Sequence, residues 1–206
     1  MKIALGLKAH SGWAVFVALW AKGDDVEMLD RRRLELVKNN SAEWAKQPFH
    51  AAEHLETKEA QKLIHEAIKA AQVNATRELR DAVKRLQRAG HKVSVGAVLM
   101  GEPMPDWSVE QILAVHFRMH KAEGVLFREA LARAVRECGV RLVKIREKEM
   151  IEQAELALGE PYESLLNRLA ALGKSVGPPW GKDQKDATLA AMIALQSRKL
   201  NRSSFQ

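Results

Sequence analysis

The sequence predicts an α/β domain: a five-stranded mixed sheet in the order β-β-β-α-β-α-β-α, with helices on both faces. Two observations predict it. Residues 2–37 hold three apolar or alternating runs joined by short turns, the mark of an antiparallel meander. After them, long segments rich in Ala, Glu, Lys and Leu alternate with two short β-branched runs, which requires crossover helices and parallel additions to the sheet.

Each element has its own justification. "KIALGL" (2–7) and "WAVFVALW" (13–20) are short apolar strands around the turn "KAHSG", and "GDD" (23–25) is a second turn. "VEMLDRRRLELV" (26–37) puts Val26, Met28, Leu34 and Leu36 on one parity and Glu27, Arg31, Arg33 and Glu35 on the other, as in a half-exposed strand. Residues 38–50 read as irregular. Residues 51–89 lack Pro and Gly and space apolar side chains three and four apart, which predicts one long helix stopped by Gly90. "KVSVGAVLMG" (92–101) is a fourth strand, and Ser108 is placed to cap a helix over 109–138. "VRLVKIRE" (140–147) is the fifth strand. The chain then reads as helical to Leu172, breaks over 173–181 and resumes over 183–199, leaving 200–206 as a tail beyond a single domain of 1–199.

Composition narrows the function classes. A chain of 206 residues with 47% hydrophobic and 29% charged residues is long enough for one well-buried domain. Its net charge of +7 favours an anionic partner such as nucleic acid. The single cysteine, Cys138, excludes an internal disulfide framework and a Cys-rich zinc site, and its helical setting suggests a buried structural thiol. No apolar run nears the roughly 18 residues of a membrane span. Lys8 and His10 interrupt the first apolar stretch, so no leader is expected and a cytoplasmic location is.

The element order points to the ribonuclease H-like fold, and three segments resemble its RuvC branch, the Holliday-junction resolvases. "LGLKAHSGWAVF" (5–16) resembles the family hairpin G-[IL]-D-P-G-x-x-T-G-W-A. Residues 120–150 resemble the helix and strand before the last catalytic segment. "GKDQKDATLAAMIAL" (181–195) resembles the closing helix, D-x-x-D-A-x-x-x-A. The resemblance implies a nuclease in which carboxylates from different elements hold two Mg²⁺ or Mn²⁺ ions for phosphodiester cleavage. It would assign Glu102 to the end of the fourth strand and Asp183 and Asp186 to one face of the final helix. It also implies a nucleic-acid partner and, often, a homodimer.

One position departs from that pattern. Where the family has its first-strand aspartate, this chain has Lys8. A cation there competes directly with metal. The expectation is an ion pair between Lys8 and one or more of Glu102, Asp183 and Asp186, and a protein that is catalytically degenerate with a binding or scaffolding role. Two alternatives stay open: an active divalent-metal nuclease on branched DNA, with His10 or Ser11 supplying the missing ligand, or plain helix-capping roles for Asp183 and Asp186. An actin-like or kinase-like phosphate binder needs a second copy of the fold, for which this length leaves no room.

Other motifs carry competing readings. "HAAEH" (50–54) fits an inverted zinc-peptidase pattern, with Glu129 as third ligand, or simply exposed histidines. His116 and His120 are one turn apart. His120 falls on the stripe Leu113, Phe117, His120, Gly124, Phe127, Leu131, which suggests a core histidine, with Gly124 allowing close helix-to-sheet approach. Arg31, Arg33, Lys144 and Arg146, with Lys84, Arg85, Arg88 and Arg141, could track phosphates or be solvated. Trp107 and Trp180 could stack on bases but read better as packing.

Overall fold

In the computed structural model, described over residues 2–22, 25–38 and 43–203, the first two strands bury almost every side chain. Strands β1 (Lys2–His10), β2 (Trp13–Lys22) and β3 (Asp25–Glu35) pair antiparallel. A short helix α1 (Pro48–Ala51) precedes the long α2 (Thr57–Arg88). Strand β4 (Lys92–Met100) adds parallel to β1. After α3 (Val109–Leu113) and α4 (His116–Glu137), β5 (Arg141–Arg146) adds parallel to β4. Helices α5 (Met150–Leu158), α6 (Tyr162–Val176) and α7 (Lys182–Ser203) complete the described chain. The sheet order β3-β2-β1-β4-β5 is the five-stranded mixed sheet expected from the sequence.

Two cores form because successive strand residues point to opposite faces. Ile3, Leu5, Leu7, Ala14, Phe16 and Ala18 pack against α2 and α4. Ala4, Val15, Val17, Leu19, Val95, Ala97 and Leu99 pack against α5, α6 and α7. Each fully buried Leu or Phe contributes about 1.5–3 kcal/mol, so continuous burial on both faces makes β1 and β2 the anchor of the fold. Five of the eleven buried positions of α2 are alanines, which bring its backbone close; buried Asn74 donates to the Leu36 carbonyl at 3.2 Å.

The structure corrects the parity of β3. Ala18 pairs with Asp30 and Leu19 with Met28, so Leu29 is an extra residue, a bulge. Before it, Val26 and Met28 join the α7-side core; after it, Leu34 and Leu36 join the α2-side core. Arg31 and Arg33 are thereby turned toward the α6–α7 side.

The helices are more broken than the pattern predicts. The helix expected over 51–89 begins only at Thr57, after a turn over 52–56, and a short helix, α1, stands at the end of the stretch 38–50 read as irregular, because tertiary contacts pin it: Phe49 and Ala52 are buried and His50 binds Glu123 of α4. The helix expected over 109–138 breaks at Val115, whose extended backbone (φ −142°, ψ 113°) separates α3 from α4. Ser108 does cap α3, in a reciprocal box with Gln111. The helical stretch to Leu172 is divided at Gly159, which ends α5 in the left-handed conformation at φ 71°. Gly173 is no stop. It lies within α6 because Trp180 packs on it where a Cβ would stand, and the helix ends instead at Gly177.

Candidate functional site

The even-numbered residues of β1 face α7, and the site follows from that geometry. At Gly6 the helix crosses so closely that a Cβ would overlap the Ala187 carbonyl. Two residues further along β1, about 6.6 Å away, Lys8 therefore meets the first turns of α7. Its ammonium, in a side chain only 10% exposed, lies 2.6 Å from Asp186 Oδ2 and 3.1 Å from Asp183 Oδ1. Lys182 approaches the same Asp186 oxygen at 2.5 Å from the solvent side. His10 Nε2 is 3.1 Å from Asp183 Oδ2, and its ring stacks on Trp13 with centroids 4.2 Å apart.

Electrostatically the cluster is closed. Two carboxylates face the buried Lys8 ammonium, and the exposed Lys182 reaches Asp186 from solvent, so both acids are already paired with cations. Burial alone would pull the Lys8 pKa down, but its hydrogen bonds to Asp186 and Asp183, reinforced by their charges, hold it above the ordinary lysine value. For Asp183, burial pushes up, while the Lys8 hydrogen bond and charge, then His10, bring the carboxyl below its usual range. Such a buried pair gives geometric definition more than net stability.

Of the acids assigned by resemblance, Asp183 and Asp186 meet at Lys8, and Glu102 does not join that ion pair. The Glu102 carboxylate pairs with the exposed Lys148 at 3.2 Å. Asp183 is not the residue before the helix, since α7 starts at Lys182; it lies in the first turn and spends its carboxylate on Lys8 and His10.

The other candidates separate as well. Arg31 and Arg33 belong to β3 and Lys144 and Arg146 to β5, the two opposite edges of the sheet, so they form no common surface. Each is already engaged. Arg31 donates to the carbonyls of Gly177, Pro178 and Pro179 at 3.0, 3.1 and 2.7 Å, fastening the loop between α6 and α7. Arg33 binds Glu35 at 2.6 Å and covers Trp13; Lys144 binds Glu129 at 2.6 Å; Arg146 binds Glu149 at 3.0 Å. Lys84, Arg85 and Arg88 are exposed on α2, and Arg141 holds the end of α7 through Ser197 at 2.7 Å. Trp180 packs on Gly173 and donates to the Leu169 carbonyl at 3.0 Å; Trp107 packs at the edge of the α2-side core under Arg118. Cys138 is half-buried, and burial raises its thiol pKa.

The zinc-peptidase arrangement of His50, Glu53, His54 and Glu129 does not form. Helix α1 ends at Ala51, Glu53 and His54 lie exposed in the turn after it, and Glu129 is taken by Lys144. His120 is exposed rather than core, and Phe117 is 69% exposed, because α4 starts afresh at His116 and the buried stripe shifts to Met119, Ala122, Glu123 and Leu126. Gly124 makes room for the Arg128 guanidinium, not for the sheet: a Cβ there would stand 2.7 Å from Nη1. Gly101, just past β4, clears the same group at 2.8 Å. Arg128 was not singled out by pattern; two glycines from distant elements clearing one guanidinium is a signal only tertiary structure supplies. It borders a cleft with Ala9, His10, Ser11, Gln47, His120 and Glu123.

No family model and no curated protein matches the sequence. Solved structures match across the whole chain. The Thermus thermophilus RuvC structure aligns at 12% identity over 97% of this chain and 96% of that one, with a TM-score of 0.50. T. thermophilus RuvC in complex with a Holliday junction substrate aligns at 12% identity over 98% and 97%, with a TM-score of 0.54. The yeast mitochondrial Holliday junction resolvase aligns at 13% identity over 98% and 83%, with a TM-score of 0.45. The chain thus has a RuvC-like, ribonuclease H-like fold. No helix among the described residues is long and apolar enough to cross a membrane.

Proposed function

We propose that this chain is a RuvC-like protein that has exchanged metal-dependent cleavage for binding or scaffolding on branched or structured nucleic acid. The observation that carries the reading is the Lys8 ammonium seated between Asp186 and Asp183, at 2.6 and 3.1 Å. By the hairpin resemblance, Lys8 stands where the family carries a metal-binding aspartate. There it substitutes a fixed cation for the ion, and Glu102 is engaged by Lys148 instead. The net charge of +7 supports a polyanionic partner, as does the Holliday junction bound by the T. thermophilus RuvC of like fold. The surface that would meet phosphates is the rim at the ends of β1 and β4, where Lys182 and Lys148 expose 78% and 77% of their side chains. Arg128 borders the clefts at the ends of these two strands, its guanidinium also 3.4 Å from Glu147.

The test is a pair of assays on a synthetic four-way DNA junction. Binding should weaken steeply as salt rises, through counterion release, while Mg²⁺ or Mn²⁺ yields no cleavage. Metal-dependent cleavage abolished by Asp186→Asn would establish the competing reading, an active nuclease with a rearranged site. Binding that is absent or indifferent to salt would remove nucleic acid as the partner and favour a protein.

A further inference from the structure

Three histidines from the two broken helical regions meet at the junction of α1 and α4. His50, His116 and His120 each offer one ring nitrogen, and these atoms all lie within 4.8 Å of one another. His116 and His120 are one helical turn apart and project together, with their Nε2 atoms 3.1 Å from each other. The three rings meet edge to face or tilted, at centroid distances of 4.9, 4.4 and 4.6 Å.

The third ring is held by a buried acid. His50 Nδ1 lies 2.8 Å from Glu123 Oε1, on a carboxylate side chain only 4% exposed. That contact occupies Nδ1 and leaves Nε2 as the ring nitrogen turned toward the other two histidines. That Nε2 is buried and has no hydrogen-bond partner. His116 and His120 can share one N–H between their own nitrogens, which leaves His50 Nε2 without a donor. A metal ion resolves the conflict by accepting all three lone pairs at once.

We propose that His50, His116 and His120 form a site for a divalent transition metal of the zinc class, with Glu123 orienting His50 from behind. Zn–N bonds of about 2.0–2.1 Å in a tetrahedron place the nitrogens about 3.4 Å apart, within small ring rotations of the separations seen here. The carboxylate–histidine–metal relay is the usual way such a ligand is fixed. Neutral imidazoles suit Zn²⁺ and its neighbours and not Mg²⁺, which prefers oxygen. Three protein ligands leave a fourth position for water or an anionic group. The cleft beside the site, about 230 Å³ and lined by His10, Ser11, Gln47 and Arg128 as well as His120 and Glu123, gives such a group a way in. The site shares no residue with the Lys8 cluster, and the inference does not depend on whether that cluster is degenerate.

The experiment uses the full chain, prepared without a polyhistidine tag and stripped with chelator, titrated with Zn²⁺ by calorimetry and with Co²⁺ by visible absorption. The expected result is one equivalent of Zn²⁺ and the absorption of four-coordinate Co²⁺. Both are lost in His116→Ala and His120→Ala, whose exposed side chains leave the core intact, and both are retained in His54→Ala. Glu123→Gln should weaken Zn²⁺ binding 10- to 100-fold. The proposal is overturned if the wild type binds no Zn²⁺, which makes the cluster a ring stack only, or if stoichiometric binding survives both single substitutions on α4.

Discussion

The Lys8 cluster and the histidine cluster lie on opposite faces of the sheet and solve the same problem in opposite ways. At the β1–α7 contact the carboxylates meet cations: Asp186 is flanked by the buried Lys8 and the exposed Lys182, and Asp183 by Lys8 and His10. At the α1–α4 contact the buried His50 Nε2 has no hydrogen-bond partner and no carboxylate facing it, while two more ring nitrogens lie within 4.8 Å; His10 Nε2, also without a hydrogen bond, at least stands 3.1 Å from Asp183. A carboxylate pair is the usual attraction for a hard divalent cation, yet here it is the satisfied cluster. The imidazoles are the ones with electron density still to give. Residue type alone therefore misleads about where a ligand goes; what decides is whether the donors are already used.

Substitutions that unbalance the closed cluster should have the largest effects. Lys8→Ala leaves two partly buried carboxylates with only His10 and the exposed Lys182 against them. A loss of about 3 kcal/mol is expected, at the lower end for breaking a buried pair, measured by urea unfolding. A loss below about 1 kcal/mol would mean the pair is solvated and the cluster not closed. Gly6→Ala should cost about 3 kcal/mol, the top of the overpacking range, since the obstacle is the backbone of Ala187 and cannot rotate away. Arg31→Ala removes a charged donor from three carbonyls of the α6–α7 loop and should cost about 1.5 kcal/mol. Arg33→Ala, whose partner Glu35 is exposed, should fall within about 0.5 kcal/mol in the same measurement.

The closed cluster also sets a pH profile. Asp183 titrates below its usual value in the fold, so its contribution is present above the unfolded carboxylate pKa and fades as pH falls through the lowered one. Lys8 titrates above its usual value, so its contribution is full below the unfolded lysine pKa and fades as pH rises through the raised one. As far as Asp183 and Lys8 are concerned, stability should be flat between roughly pH 4 and pH 10. In Lys8→Gln the alkaline limb should disappear and acid unfolding should begin at higher pH, because Asp183 loses its cation. Unchanged limbs in thermal melts across pH would contradict the pairing.

Much of this was written locally and could be read. The meander, both parallel strands and the capping role of Ser108 depend on neighbouring residues. So does the juxtaposition of Asp183 and Asp186, since a three-residue spacing on a helix fixes a common face. What could not be read depends on packing. Nothing in "HLE" (54–56) stops a helix, and α1 is separated from α2 because Phe49, His50 and Ala52 are held against the rest of the protein. The break at Val115 likewise has no Gly or Pro to announce it, and it rotated the predicted stripe of α4 enough to misplace His120 and Phe117. A single extra residue at Leu29 reversed which face of the sheet Arg31 and Arg33 serve. Glu102 was assigned by its place after β4, but a loop residue takes its direction from neighbours such as Lys148. The meeting of His50 with His116 and His120 follows from two breaks that the periodicity hides.

The central claim is that Lys8 occupies the place of a metal ion. Its most direct test is a calorimetric titration with Mg²⁺, which the histidine cluster would not bind, on the wild type beside Lys8→Asp. The account predicts a silent wild type and a variant that binds Mg²⁺ through its new carboxylate with Asp183 and Asp186. Mg²⁺ binding by the wild type, lost in Asp186→Asn, would contradict it.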